Sequence, residues 1–279
     1  MSGKIGKTKS KEKKCKVILR TSLDKQDIRR FQQLLRNTIS ASSELYDPKD
    51  VDVLVEDEVI CEKFLRRSEA CVENALDYAI QSFRWRKTFG VSAIDASGVS
   101  QLALDSGVMY FHGFSIGDAF ILIFRADLIL EPFDSQEETL CHRYLVMFLE
   151  EAVIRRKGNV TLLFDCTKAR KENLSLHSTI NQHMGYVKFL IKLFKSYYPD
   201  CLDFVLIYEL PVILHACWKI VSRLVPANGI DRIKFVDKKS LRKYIDENNL
   251  PRSMGGQSDY VYQHDKNSSA LPGWLKTLH

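Results

Sequence analysis

The second half of this chain alternates two textures, and that rhythm restricts the fold more than any single motif. Short runs rich in β-branched and aromatic residues are separated by stretches long enough for a helix. MYFHGFSIGDAFILIFR reads as two strands around a turn, with Gly117 supplying a positive φ. SQEETLCHRYLVMFLEEAVIRRKG reads as a long helix ended by Gly158. NVTLLFDCT is an apolar run of strand length, and STINQHMGYVKFLIKLFKSYYP is a helix that stops before Pro199. DFVLIYEL and IKFVD are two further strands, and KKSLRKYIDENN is a terminal helix. Strands that are apolar on both faces and separated by helices belong to a largely parallel sheet covered by helices, so the expected class is α/β.

Between the last two strands lies PVILHACWKIVSRLVP, residues 211–226, with Pro211 in its first turn. It is apolar on nearly every side, whereas an ordinary surface helix needs one apolar stripe. A fully buried core helix satisfies that pattern, and so does a helix that is apolar for a functional reason.

The first part of the chain is helical in pattern. SLDKQDIRRFQQLLRNTI places Leu23, Ile28, Phe31, Leu35 and Ile39 at helical spacing, with Thr21 and Asp24 as a capping box. A polar break, SASSELYDPKD, follows. DEVICEKFLRRS and ACVENALDYAIQSFRWRKTFG then read as two short amphipathic helices, with Phe64, Leu65, Leu76, Ala79, Ile80 and Phe83 facing inward.

Composition narrows the class of function. At 45% hydrophobic and 27% charged over 279 residues, the chain is ordinary globular material, enough for one large domain with helical additions. No run approaches the roughly 18–20 apolar residues of a membrane span, and Lys219 and Arg223 interrupt the most apolar segment. The N-terminus lacks the apolar core of a secretory signal, and Gly3 rather than residue 2 excludes the myristoylation pattern. A cytoplasmic location is expected. The seven cysteines (15, 61, 71, 141, 166, 201 and 217) are scattered without zinc spacing, so they are expected to be reduced, with Cys166 and Cys217 as small core residues. No metal and no cofactor are expected. The formal net charge of +6 is accounted for by MSGKIGKTKSKEKKCK alone, with Lys4, Lys7, Lys9, Lys11, Lys13, Lys14 and Lys16 against Glu12. Such a stretch reads as a solvated disordered tail or as a tether to anionic lipid. Nucleic acid is not an expected partner, because the rest of the chain has no basic excess.

Catalytic patterns are sparse. HGFSIG contains G-x-S-x-G, with Ser115 in the nucleophile position of a serine hydrolase. That chemistry needs a helix directly after the serine, whereas DAFILIFR is strand-like, so the segment reads as a hairpin turn. There is no phosphate loop or dinucleotide fingerprint. The pairs Glu150–Glu151 and Glu137–Glu138 read as solvated charges on polar helix faces, and His177 and His183 do not share a helix face.

Several of these pieces resemble, in order, the CRAL-TRIO (Sec14-like) lipid-binding family. FLRRSEACVENALDYAIQSFRWRK resembles its helical N-terminal part, and GVMYFHGFSIGDAFILIFRADL its first hairpin, with a His before the turn. NVTLLFDCT, YYPDCLDFVLIYELP, WKIVSRLVP, IKFVD and NNLPRSMGG resemble the remainder, over about residues 55–256. SFRWRKTFGVSAI and the MGG ending resemble one branch in particular, whose members also carry a VAP-like domain that this sequence lacks.

The resemblance implies a helical N-terminal part, then a mostly parallel CRAL-TRIO-like sheet covered by helices, with a pocket closed by an apolar gate helix. The corresponding division is a disordered Lys-rich tail (1–20), a helical part (21–95), the lipid-binding domain (96–256) and a C-terminal tail (257–279). The gate would be residues 211–225. The implied pocket lining is Leu122, Phe124, Leu162, Phe164, Met184, Phe194, Leu206, Ile213, Leu214, Cys217, Trp218 and Val221. Relatives that hold phosphatidylinositol place a cation at the end of the FLR helix, where this chain has Ser68 and Glu69. Their acidic–basic pair is retained as Asp200 and Arg232, which otherwise make a surface salt bridge. The positions whose hydroxyls contact phosphatidylcholine are here Phe111, Leu122, Val160, Leu162 and Phe194, all apolar. The implied function is non-enzymatic: a phospholipid or phosphoinositide held internally and exchanged or presented at a membrane surface. The rival readings are an interaction scaffold with a degenerate pocket, and a serine hydrolase using Ser115.

Overall fold

A computed structural model describes residues 23–128, 134–168, 176–212 and 215–264. The Lys-rich tail and Thr21 lie outside the described residues. Four helices come first: α1 (Lys25–Ser40), α2 (Pro48–Leu54), α3 (Glu58–Arg67) and α4 (Val72–Phe89). Asp24 is itself the N-cap of α1, accepting a bond from the Gln26 N–H at 2.9 Å. Asp47 and Asp57 cap α2 and α3 in the same way. The expected polar break therefore hides a helix, because DP is a cap followed by a proline at the first helical position. The two later segments differ in length: α3 has 10 residues, while α4 runs for 18 before Gly90 ends it at φ 73°. Phe31, Leu35, Phe64, Leu65, Ala79 and Phe83 form a core of their own, with Leu76 and Ile80 half-buried against it.

After α5 (Gln101–Ser106) the chain enters a five-stranded sheet of order β1-β2-β3-β4-β5. β1 (Met109–Phe114) pairs antiparallel with β2 (Phe120–Arg125). β3 (Val160–Asp165), β4 (Leu202–Tyr208) and β5 (Ile233–Val236) follow, each parallel to its predecessor. Right-handed crossovers that step in one direction place every connecting helix on the same face. That face carries α6 (Ser135–Leu149), α7 (Leu176–Lys192), α8 (His215–Val221) and the short α9 (Ala227–Ile230). The opposite face is covered differently from the expected helical layer. Tyr110, Ile121, Ile123, Leu163, Leu206 and Tyr208 pack there against Leu241, Ile245, Leu250 and Met254 of the C-terminal segment, with Tyr260 and Tyr262 beside them. The terminal helix itself is one turn, α10 (Lys238–Leu241).

Three local expectations are corrected. In the β1–β2 turn the positive φ belongs to Asp118 (60°), and Gly117 has none; Gly113, within β1, has φ 66°. Past α6 a wide, π-type turn spans Glu150–Arg155, and the left-handed residue is Lys157 (φ 56°). Gly158 is needed for space instead, since a Cβ there would lie 2.6 Å from the Phe120 ring. Glu150 and Glu151 are not solvated charges. Glu151 is 7% exposed and pairs with Arg155 and Arg156, while Glu150 meets the buried Arg86.

Candidate binding cavity

Strand register decides which side chains reach the helix-covered face. Leu162, Val205 and Ile233 form one row across β3, β4 and β5. Phe124, Phe164, Ile207 and Phe235 form the next, two residues further along, with Phe124 and Phe164 stacked at 4.7 Å. These two rows floor a cavity of about 500 Å³. Tyr186, Val187, Leu190, Ile191 and Phe194 of α7 and its extension form one wall, at the three- and four-residue spacing of a helix face. Trp218 and Val221 of α8 roof it, followed by Val225, Pro226 and Gly229. Trp218 meets Phe235 edge-on at 5.3 Å, and His215, one turn earlier, stacks with the same ring at 5.7 Å.

Of the twelve expected lining residues, the cavity brings together Phe124, Leu162, Phe164, Phe194, Trp218 and Val221. Leu122 shares their face but sits under α6 in solid core, 0% exposed. Leu206 is on the opposite face, in register with Leu163, because adjacent residues of a strand point apart. Met184 is half-buried, one turn short of Val187, and does not line the cavity. Ile213, Leu214 and the Cys217 side chain lie outside the described residues, as do the side chains of His177 and His183.

Charged groups gather where the parallel strands begin. Asp200 precedes β4, Arg232 precedes β5, Lys195 lies in the last turn of the α7 extension, and Arg67 ends α3; all four line the cavity. Arg232 donates from Nη1 to the Leu202 carbonyl, and its Nη2 stands 4.0 Å from Asp200 Oδ1. The backbone of Asp200 is left-handed, at φ 44°. Arg67 was missed from sequence because it falls one residue before the family's cationic position, at Ser68; Ser68 itself is 6% exposed. The Arg67 guanidinium also lies over the Tyr78 ring, 5.0 Å from its centroid. α3 is anchored beside this end through Lys63, whose Nζ donates to the Gly158 carbonyl (3.0 Å) and to Asn159 Oδ1 (2.6 Å). Burial pushes the Lys63 ammonium below its usual range.

Among the described residues, nothing in the cavity lining is arranged as a nucleophile. Burial pushes the Cys166 and Cys201 thiols up to about 12, which keeps them as neutral thiols. Ser115 is buried in the β1–β2 turn, where its Oγ accepts the Ala119 N–H at 3.1 Å, and β2 follows instead of a helix. The nucleophile elbow of a hydrolase is therefore not formed there. Among the described residues, no helix is long and apolar enough to cross a membrane.

Helices on one face of a sequentially ordered sheet, a separate helical layer before it, and an apolar chamber with one charged end define an α/β domain built around a binding cavity. Comparison with known proteins agrees: the family model described as CRAL/TRIO domain matches residues 104–256, and the chain belongs to that family. It is 25% identical over 263 residues to a CRAL-TRIO domain-containing protein of Schizosaccharomyces pombe, covering 85% of this chain and 56% of that one. It is 25% identical over 216 residues to the phosphatidylinositol transfer protein CSR1 of Eremothecium gossypii, covering 72% and 47% respectively. The chain thus spans about half the length of these relatives. The crystal structure of Sfh5 has the same fold, with a TM-score of 0.64 at 15% identity, over 87% of this chain and 91% of that one.

Proposed function

We propose that this protein binds a lipid in the cavity beneath α8 and exchanges or presents it at membranes without covalent chemistry. The observation that carries this reading is the cavity itself: apolar rows of the sheet, an apolar wall from α7, and charges confined to one end. Hydrocarbon gains about 0.8 kcal/mol per methylene on leaving water, so an apolar chamber is a substitute for the bilayer interior. Exchange at a membrane surface avoids exposing the chain, and head-group contacts then select the lipid.

The roof supports a gating role. Val212, Ile220 and Leu224 are exposed around a helix whose Trp218 and Val221 face the cavity, so the segment is apolar inside and out. Lys219 and Arg223 beside them suit an anionic membrane surface. In this reading residues 211–225 are the gate, and the Lys-rich residues 1–20 are a tether at the same membrane, in a cytoplasmic protein that visits membranes transiently. The likeness to a phosphatidylinositol transfer protein supports a phospholipid or phosphoinositide, with Asp200 and Arg232 at the head group. Arg67 and Lys195 supply cations that Ser68 and Glu69 do not. A choline head group has little support, because Phe111, Leu122 and Val160 are buried core and Leu162 and Phe194 offer no hydroxyl. SFRWRKTFGVSAI and the MGG ending further support kinship with the lipid-binding domain of motile sperm domain-containing protein 2.

Mass spectrometry of lipids extracted from the purified chain tests the proposal, with delipidated protein then offered liposomes. A bound lipid that is removed and taken up again is the expected result. Protein that neither carries nor acquires lipid would leave the scaffold reading in its place.

A further inference from the structure

The size of the cavity and the sign of its charged end narrow the ligand beyond lipid in general. We propose that it holds an anionic amphiphile with one hydrocarbon chain, of about 20 carbons. This inference rests on the lipid-binding reading and specifies its ligand.

A dry cavity of about 150 Å³ accommodates benzene, which sets a scale of roughly 25 Å³ per carbon. On that scale the 500 Å³ here corresponds to about 20 carbons. The two chains of a diacyl phospholipid bring roughly 30 methylenes before any head group is counted, about 750 Å³ on the same scale, so about a third of that hydrocarbon would remain in water. Along β4 the lining runs from Leu202 to Ile207, roughly 17 Å at about 3.3 Å per residue. The far end, at Leu210, Trp218 and Phe235, is apolar. A single chain laid along the strands would place its head at their beginnings, among Arg67, Lys195 and Arg232. Among the described lining residues three cations stand there with one carboxylate, Asp200, so the head is anionic. Arginine forks fit carboxylate and phosphate equally well, and either chemistry satisfies the site.

The test offers the delipidated full chain, at equal concentrations, oleate, oleoyl lysophosphatidate, monoolein and dioleoyl phosphatidate, and counts complexes by native mass spectrometry. The expected result is a one-to-one complex with oleate or oleoyl lysophosphatidate, at least tenfold more abundant than with either other lipid. Preference for oleate identifies a free carboxylate, and preference for the lysophospholipid a phosphate head group. Dioleoyl phosphatidate bound as well as the single-chain acids overturns the one-chain assignment, and monoolein bound equally overturns the anionic one. If none of the four binds while the chain carries or takes up lipid in the extraction and liposome test, the one-chain anionic assignment fails and the lipid-binding reading stands; if that test is negative too, both fail. The double variant Arg67→Gln, Arg232→Gln should lose the tenfold preference for oleoyl lysophosphatidate over monoolein while retaining monoolein, and an undiminished preference would remove the head from that end. The wild-type arms stand whether or not the variant folds.

Discussion

Arg86 and Glu150, 64 residues apart, form a buried two-pronged ion pair, Nη1 to Oε1 at 2.7 Å and Nη2 to Oε2 at 2.8 Å. Arg86 Nη2 also donates to Asp50 Oδ1 at 2.8 Å, and the Tyr198 hydroxyl donates to Glu150 Oε1. One guanidinium therefore joins α2, α4 and the turn after α6 to the end of α7, where Tyr198 lines the cavity. The stack of Trp85 on Tyr197, 4.1 Å between centroids, lies beside it.

Removing the arginine leaves two carboxylates in the interior. Arg86→Gln is expected to cost about 3–5 kcal/mol, as for a buried pair that loses one partner. Urea denaturation followed by circular dichroism measures this, and a loss under about 1 kcal/mol would show that the carboxylates find water.

Two histidines, His112 buried and His142 half-buried, make stability depend on pH. Burial pushes His112 and His142 down to about 4, so both are neutral in the folded chain at pH 7. In the unfolded chain each titrates at its ordinary 6.5 and takes up its proton first as pH falls. Their contribution is complete above pH 6.5 and is lost progressively down to pH 4, on the order of 2–3 kcal/mol each. His112→Phe keeps a ring against Tyr260, whose centroid is 5.0 Å from the imidazole. It should recover one such share at pH 4.5 relative to wild type. Equal pH slopes for the two proteins would contradict the buried neutral state.

Two glycines of the same region should respond oppositely to alanine. At Gly158 the new methyl meets the Phe120 ring at 2.6 Å and the Ala152 carbonyl at 3.2 Å, an overpacking that costs about 1–3 kcal/mol. At Gly117 the nearest atom is Asp203 Oδ2 at 3.6 Å and φ is not positive, so the change should stay within about 0.5 kcal/mol. Comparison of urea midpoints decides, and a Gly117→Ala variant as unstable as Gly158→Ala would refute the turn geometry.

The contact of Trp218 with Phe235 should restrain the roof. An edge-on aromatic pair contributes about 0.5–1.5 kcal/mol beyond its area, which corresponds to roughly a two- to tenfold change in release. Trp218→Ala and Phe235→Ala are each expected to speed lipid transfer between vesicles, with the double variant less than additive. Additive rates would mean that the two rings act separately.

Deleting residues 1–16 is expected to weaken binding to anionic liposomes at low salt by at least tenfold, since each lysine near the surface contributes about 1 kcal/mol. Binding to neutral liposomes should not change. Equal retention of both forms in a flotation assay would assign the segment no membrane role.

Much of the architecture was legible because strands buried on both faces are near-continuous apolar runs and helices are periodic. MYFHGF, FILIFR, VTLLFD, LDFVLIY and IKFV all became strands at almost their read positions. α2 escaped because its seven residues are too few for a period to show, although the Asp47–Pro48 start was present. Leu206 was misplaced for a related reason: in a run such as FVLIY every residue is apolar, so alternation gives no sign of which face a side chain takes. Glu150 looked solvated because its partners, Arg86 and Tyr198, are distant in sequence.

The order of elements, the parallel class of the sheet and the unusual apolarity of residues 211–226 are properties of local pattern, and the chain's residues alone determine them. Which strand face looks into a chamber, which cations meet at its end and how much hydrocarbon it admits depend on crossovers and register. Those are set by contacts between segments tens of residues apart. Only the folded chain brings Arg67, Lys195 and Arg232 to one end of one cavity.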